Sequence, residues 1–304
     1  MKRLGYGDSL ATGAVAAGGT LGFLIPPSTG FVIYAILTEQ SIGRLFMAGI
    51  LPGILLMALF IATVAIVATL DPAAGPRGPL VPLAQKFRLL GRSMPLIGVI
   101  VVSIGGIYAG AFTPVEASAI GAGLVVLLAF GTRRIDAPGF GNAVMDTIRT
   151  SAMLYMIVIG ANVLNPFLAV THIPESLGNA LVGMGLGPYG TLLAIILAYV
   201  VLGMFLDGLS MLVVTIPIVF PVIVQLGFDP IWFGVVAVIV IEMGMITPPV
   251  GLNVFVVKGV AQNVSMTTVF RGVTPFLLAM ILGLLLIVMI PGIALWIPNS
   301  MFDG

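Results

Sequence analysis

Two short stretches hold the residues best suited to chemistry in this chain. Gly22-Phe-Leu-Ile-Pro-Pro-Ser-Thr-Gly30 and Gly244-Met-Ile-Thr-Pro-Pro-Val-Gly251 each set two consecutive prolines inside a long apolar run. A proline removes one backbone donor and displaces the carbonyl one turn earlier, so two in sequence open about one turn of helix. In lipid such a break survives only inside protein or facing a wet cavity. The freed carbonyls around Gly22–Ile25 and Gly244–Ile246 are hard oxygen ligands of the kind that hold Na⁺. Ser28, Thr29 and Thr247 add hydroxyl oxygens. The helix that restarts after each break points the positive end of its dipole at the same place, which suits a carboxylate. The plain structural alternative is a packing kink, which membrane helices tolerate. Two breaks at matched spacing weigh against it.

Asp207 is the one acidic residue in the apolar run Ala194–Pro221. A carboxylate at membrane depth is expensive and usually functional. The competing reading is a helix N-cap, since Gly208-Leu-Ser210 follows it. Glu242 lies five residues before Thr247 and is a weaker candidate of the same kind. Glu116, after Thr113-Pro114, reads as a helix-start cap. His172, the one histidine, reads as a loop residue, and the 16 methionines as packing. Asn162 and Asn165 fit interhelical hydrogen bonds at least as well as a site.

The elements that carry these residues belong to a membrane protein. The chain has 304 residues, 60% hydrophobic and 8% charged, with mean hydropathy +1.23. Soluble domains carry about 25% charged residues. The apolar runs exceed the roughly 20 residues a helix needs to cross a bilayer, and the short alternating segments of a barrel are missing. The fold class expected is therefore an all-α polytopic membrane protein. With no cysteine, disulfides, thiolate metal sites and thiol catalysis are excluded. There is no Walker loop, no His-Glu-x-x-His and no nucleophile–base pair, so the chain is not expected to be an enzyme or to consume ATP. Coupling would come from an ion gradient, with no cofactor beyond that ion. The net charge of +1 marks no nucleic-acid surface. Met1-Lys2-Arg3 before a small-residue run is a poor match to a cleaved signal.

Expected in order are a broken helix over 9–40, a span over 45–70, and a polar linker over 71–93 ending in a basic amphipathic surface helix. Spans over 94–110, 114–130 and 145–170 follow, then two apolar legs over 187–225 around Asp207. A broken helix over 230–257 and a span over 273–296 complete the set. The two legs read equally as full spans or as a re-entrant hairpin. Basic residues favour the cytoplasmic side. With Lys2 and Arg3 inside, alternation leaves only Arg44 of the 12 Lys and Arg outside. Asp303 also falls outside.

The chain contains a repeat. Tyr6 precedes Pro26 by twenty positions, and Phe228 precedes Pro248 by the same interval, each aromatic following a glycine. Downstream, Ser41…Phe46…Gly49…Pro52 is echoed by Ser265…Phe270…Gly272…Pro275 with a one-residue adjustment. The charge pattern runs the first copy inside to outside and the second in reverse. Inverted repeats with discontinuous helices are a secondary-transporter architecture, with substrate and ion near the midplane. The residues therefore divide into 1–70 as the later part of repeat 1, 71–93 as the linker and 94–304 as repeat 2.

These motifs resemble the large membrane subunit of tripartite ATP-independent periplasmic (TRAP) transporters. The resemblance rests on Gly19-Thr-Leu-Gly-Phe-Leu-Ile-Pro-Pro-Ser28 and Ser41-Ile-Gly-Arg-Leu-Phe-Met-Ala-Gly-Ile-Leu-Pro-Gly53. It extends through Gly110-Ala-Phe-Thr-Pro-Val-Glu-Ala117, Gly203-Met-Phe-Leu-Asp207, Gly227-Phe-Asp-Pro230 with Phe233-Gly234, and Ile246-Thr-Pro-Pro-Val-Gly-Leu-Asn253. It implies an elevator-type inverted-repeat permease with two discontinuous helices and a re-entrant hairpin, in the bacterial inner membrane. It implies Na⁺-coupled uptake of organic acids such as C4-dicarboxylates, with a small membrane subunit and a periplasmic binding protein as partners. Gly22, Ile25 and Ser28 would serve one Na⁺ site, and Gly203, Asp207, Gly244, Thr247 and Gly251 the other. Thr29, Thr247 and Asn253 would face the substrate. The family pattern also carries scaffold helices and a first hairpin with a Gly-Ser-Ser tip before the Gly-Tyr pair, whereas Gly5 here stands four residues after Met1. The expectation is a fragment, a miscalled start or a split gene, with the first Na⁺ site incomplete unless another chain supplies that hairpin. The rival readings are a single-chain Na⁺/divalent-anion symporter and a non-transporting membrane scaffold or remnant.

Overall fold

The computed structural model describes residues 1, 4–76, 82–171, 176, 183, 185–261 and 264–302. Among them there are twelve helices and no strand. In order they are α1 (Asp8–Leu24), α2 (Thr29–Thr38), α3 (Ile42–Leu70), α4 (Leu83–Tyr108), α5 (Pro114–Gly131) and α6 (Ala137–Thr171), then α7 (Gly187–Gly203), α8 (Gly208–Gln225), α9 (Pro230–Ile246), α10 (Leu252–Val260), α11 (Met266–Met289) and α12 (Gly292–Phe302). By length and composition α3, α5, α8 and α11 can each cross a membrane. The pair α1–α2, bent by 40°, makes a fifth candidate. Asn162 and Asn165 have side chains outside the described set, and His172 and Asp303 lie outside it altogether.

The chain divides into two compact units, Met1–Gly78 with Ala161–Gly304, and Pro79–Gly160. The second unit holds α4, α5 and most of α6. Its clearest local signal is Thr113-Pro-Val-Glu116, which forms a full capping box at the start of α5. Thr113 accepts from the Glu116 amide at 3.3 Å, and Glu116 accepts from the Thr113 amide at 2.8 Å. The cap assigned to Glu116 is the role it plays. α4 is one helix from Leu83 to Tyr108, so the basic stretch and the span after it are continuous. Pro95 is accommodated inside that helix.

The first unit is built around α9. Every residue from Ile231 to Ile246 is buried. A helix apolar on all sides has no face to give to solvent and becomes the core. Two polar anchors fix its start: the Tyr34 hydroxyl on α2 donates to the Pro230 carbonyl at 2.7 Å, and Trp232 Nε1 donates to the Ile287 carbonyl of α11 at 3.0 Å. α1 crosses α11 where Gly13 meets Gly272 backbone to backbone. Neither position has room for a Cβ, the small-residue route to close helix packing in membranes.

The echoed residues occupy equivalent places. Gly5 and Gly227 both turn through positive φ, at 77° and 81°, before α1 and α9. Ser41 and Ser265 both N-cap the following helix, accepting from the amides of Arg44 and Thr268 at 3.3 and 3.1 Å. Pro52 and Pro275 both lie inside those helices. The expected span over 273–296 divides, because Pro291 removes a donor where α11 ends and α12 begins. α12 then packs beside the start of α3, where Arg44 Nη2 donates to Asn299 Oδ1 at 3.2 Å. The side assigned to Arg44 and to the C-terminal end is thus shared.

Candidate functional site

Each Pro-Pro pair interrupts its helix where proline chemistry requires. α1 ends at Leu24 and α2 begins at Thr29. The carbonyls of Gly22 and Phe23 would seek amides at positions 26 and 27, and both are prolines. Phe23 finds a substitute, since the Ser28 hydroxyl donates to its carbonyl. The same hydroxyl accepts from the Phe31 amide at 3.2 Å and so caps α2. Ser28 is buried. α3 supports this break from behind: Gly49 lies against the Phe31 ring and the Leu24 carbonyl, and Gly53 against the Ile25 side chain.

The second break follows the same logic. α9 ends at Ile246 and α10 begins at Leu252. Prolines at 248 and 249 leave Gly244 and Met245 without their helical donors. The Thr247 amide closes a tighter turn on Gly244 at 3.0 Å, and its hydroxyl donates to the Met243 carbonyl at 2.6 Å. Gly251 leads into α10 at φ +61°, with the Phe270 ring 3.2 Å from where a Cβ would stand. The Asn253 amide reaches back over the break, its Nδ2 donating to Glu242 Oε2 at 3.2 Å.

A third element meets both breaks. α7 and α8 form a hairpin whose tip is Met204-Phe-Leu-Asp207. The tip packs on the second break through glycine: a Cβ on Gly203 would stand 3.0 Å from the Cα of Gly244. The Gly251 amide donates to the Met204 carbonyl at 3.3 Å. Asp207 caps α8, its Oδ1 accepting from the Leu209 and Ser210 amides at 3.1 and 3.0 Å. Both bonds use one oxygen, so the other keeps capacity to accept. The next residue, Gly208, is buried against Ile241 and Met245 of α9 and against Phe23 of the first break. A Cβ there would stand 3.3 Å from Met245 Sδ and 3.4 Å from Phe23 Cζ. One hairpin tip therefore touches both interrupted helices.

Two opened helices and a hairpin tip converging in a membrane chain invite comparison with known permeases. The family model of the DctM component of tripartite ATP-independent periplasmic transporters matches residues 1–293. The chain belongs to this family. It is 34% identical over 303 residues to the C4-dicarboxylate TRAP transporter large permease protein DctM of Pseudomonas aeruginosa, covering 98% of this chain and 70% of that one. It is 33% identical over 308 residues to the sialic acid TRAP transporter large permease protein SiaM of Vibrio cholerae, with the same shares of each chain. The ectoine TRAP transporter large permease protein TeaC of Halomonas elongata is 30% identical over 303 residues, covering 99% of this chain and 70% of that one. The protein is thus a TRAP-family permease of the inner membrane, a transporter component and not an enzyme.

In this DctM-family permease, Gly203, Gly244, Thr247 and Gly251 are brought together at the second break, and Asp207 stands on the hairpin tip between Met204, which Gly251 bonds, and Gly208, which packs on α9. Ser28 lies at the first break with both hydroxyl roles taken up by its own helix ends. Gly22, Ile25 and Thr29 are exposed, and nothing stands within 4 Å of a Cβ built on Gly22. Sequence reasoning did not find Gly208 or the Met204 carbonyl. Their roles are close approach and a backbone bond, and neither leaves a residue-type pattern. The pairing of Glu242 with Asn253 was missed too. Only the doubling of the chain at the break makes residues eleven apart neighbours.

Proposed function

We propose that this permease is the membrane-embedded transport subunit of a Na⁺-coupled importer of organic acids. The observation that carries the reading is the hairpin tip seated against both broken helices through Gly203 and Gly208. A discontinuous helix holds carbonyl oxygens and a half-helix N-terminus at one place, the arrangement that serves a cation and a carboxylate together. Asp207 supplies the charge. The second Na⁺ site is Gly203, Asp207, Gly244, Thr247 and Gly251, with the tip as a re-entrant hairpin. Gly22, Ile25 and Ser28 contribute to the first. Thr29 and Thr247, at the mouths of the two breaks, face the substrate.

Related permeases carry names that specify C4-dicarboxylate, sialic acid, ectoine and isethionate. Organic acids are the common chemical class. The partners are a small membrane subunit and a periplasmic binding protein that delivers the acid, and movement is of the elevator type. The test is uptake into liposomes by the assembled complex, with radiolabelled succinate, sialic acid and ectoine offered in turn. Accumulation of one of them that requires both an inward Na⁺ gradient and the binding protein is expected. Uptake that persists without the binding protein would favour a single-chain symporter. A complex that co-purifies but takes up none of the three would favour a non-transporting scaffold.

A further inference from the structure

Glu242 is the one buried carboxylate of the membrane core among the described residues, 4% exposed and set in a helix otherwise apolar throughout. Such a group is retained only with a partner. Its partner is Asn253, on the far side of the break, in the first turn of α10. Among the described residues no other side-chain pair joins the two halves of this interrupted helix by a hydrogen bond. The pairing has a polarity. A carboxylate oxygen accepts and an amide NH₂ donates, so Asn253 turns its nitrogen to Glu242 and its carbonyl Oδ1 to the opposite side. An asparagine held this way presents a hard oxygen, while one of its two N–H donors is spent.

We propose that Glu242 is a positioning residue that fixes Asn253 with Oδ1 presented at the mouth of α10 as an oxygen donor to the coupling cation. This moves Asn253 from the substrate side of the site, where its place in the motif put it, to the cation side. It rests on the Na⁺-coupled reading above. The neighbouring groups agree with the assignment. The Thr247 carbonyl lies 3.2 Å from a Cβ built on Gly251, two residues before Asn253. Gly251 is in turn tied to the Met204 carbonyl of the hairpin tip. Asn253 therefore follows directly on the residues that assemble the tip and the break.

The test is Na⁺-induced thermal stabilisation of the full chain in detergent, with KCl as the reference salt, together with uptake by the assembled complex. The variants are Glu242→Gln, Asn253→Asp and the two combined. Asn253→Asp places two carboxylates face to face, and like charges at that spacing cannot both ionise. Glu242→Gln supplies a donor as well as an acceptor and releases the amide from its single orientation. The combined variant restores one donor–acceptor pair across the break and keeps an oxygen at position 253. Each single change is expected to raise the half-saturating Na⁺ concentration by about tenfold, a loss of ~1.4 kcal/mol, while the acid's KM moves much less. The combined variant is expected to recover most of the Na⁺ response.

A combined variant no better than the worse single one would overturn the positioning role. An acid KM that rises while the Na⁺ response holds would return Asn253 to the substrate. Na⁺ stabilisation of the wild-type chain without Na⁺-dependent uptake would count against the proposed function and leave this assignment standing. A wild-type chain that Na⁺ does not stabilise would overturn both.

Discussion

Gly244 and Gly203 meet backbone to backbone: a Cβ on Gly244 would stand 2.6 Å from the Cα of Gly203 and 3.0 Å from the Val200 carbonyl oxygen. Rigid backbone lies on both sides of the contact, so no side chain can yield. Gly244→Ala must then lift the α7–α8 hairpin from the second break. Overpacking of this kind costs about 1–3 kcal/mol. A lower melting temperature and loss of the Na⁺ response together are expected, measured by thermal unfolding in NaCl and KCl. Gly18→Ala is the control, because no atom stands within 4 Å of a Cβ there, and it should leave both quantities unchanged or raise stability.

Asp207 caps α8 and is also the proposed anionic ligand. The two roles separate by substitution, since asparagine is as good an N-cap as aspartate whereas alanine costs about 1 kcal/mol. Asp207→Asn should keep the melting temperature in KCl and weaken Na⁺ dependence. Asp207→Ala should lose both. Unchanged Na⁺ affinity in Asp207→Asn would remove this carboxylate from the ion site.

Thr247→Val and Thr113→Val remove hydroxyls with different duties. Thr247 satisfies the Met243 carbonyl beside the second break at 2.6 Å, and Thr113 closes the capping box of α5. The first should impair Na⁺-coupled uptake, while the second lowers stability by about 1 kcal/mol with coupling intact. Uptake against Na⁺ concentration for each variant tests this, and equal mild effects would remove Thr247 from the site.

Gly251→Ala puts a Cβ into the left-handed region at φ +61°, 3.2 Å from the Phe270 ring. The backbone term alone is about 1–2 kcal/mol. The expected result is a lower melting temperature and weaker protection of the Gly251 amide, the donor to Met204. Hydrogen exchange resolved to the peptide over residues 247–256 measures it.

Much of this was legible along the chain. Prolines stop helices wherever they fall, so Pro26-Pro27 and Pro248-Pro249 located both breaks to within a residue or two. Thr113-Pro-Val-Glu116 announced a helix start, and the equal spacing of Gly5 and Gly227 from their Pro-Pro pairs announced a repeat whose members occupy equivalent places. Helix ends without such punctuation were not legible. The stretch before Met94 reads as a separate basic segment, yet α4 runs through it from Leu83, because no residue there forbids the next helical bond.

The sequence by itself determined the class of protein, the two interruptions and the charge that could serve them, because hydrophobic length and proline chemistry act locally. Asp207 illustrates the limit. Its cap on α8 could be read from the three residues after it, but the seating of its hairpin on Gly244 through Gly203 could not. Only the tertiary structure decided that one hairpin tip seats on both breaks, that Gly208 touches Phe23 and Met245, and that Glu242 reaches Asn253 across the gap. Those relationships depend on how closely backbones approach once helices pack, and residues whose contribution is the absence of a side chain leave no pattern to read beforehand.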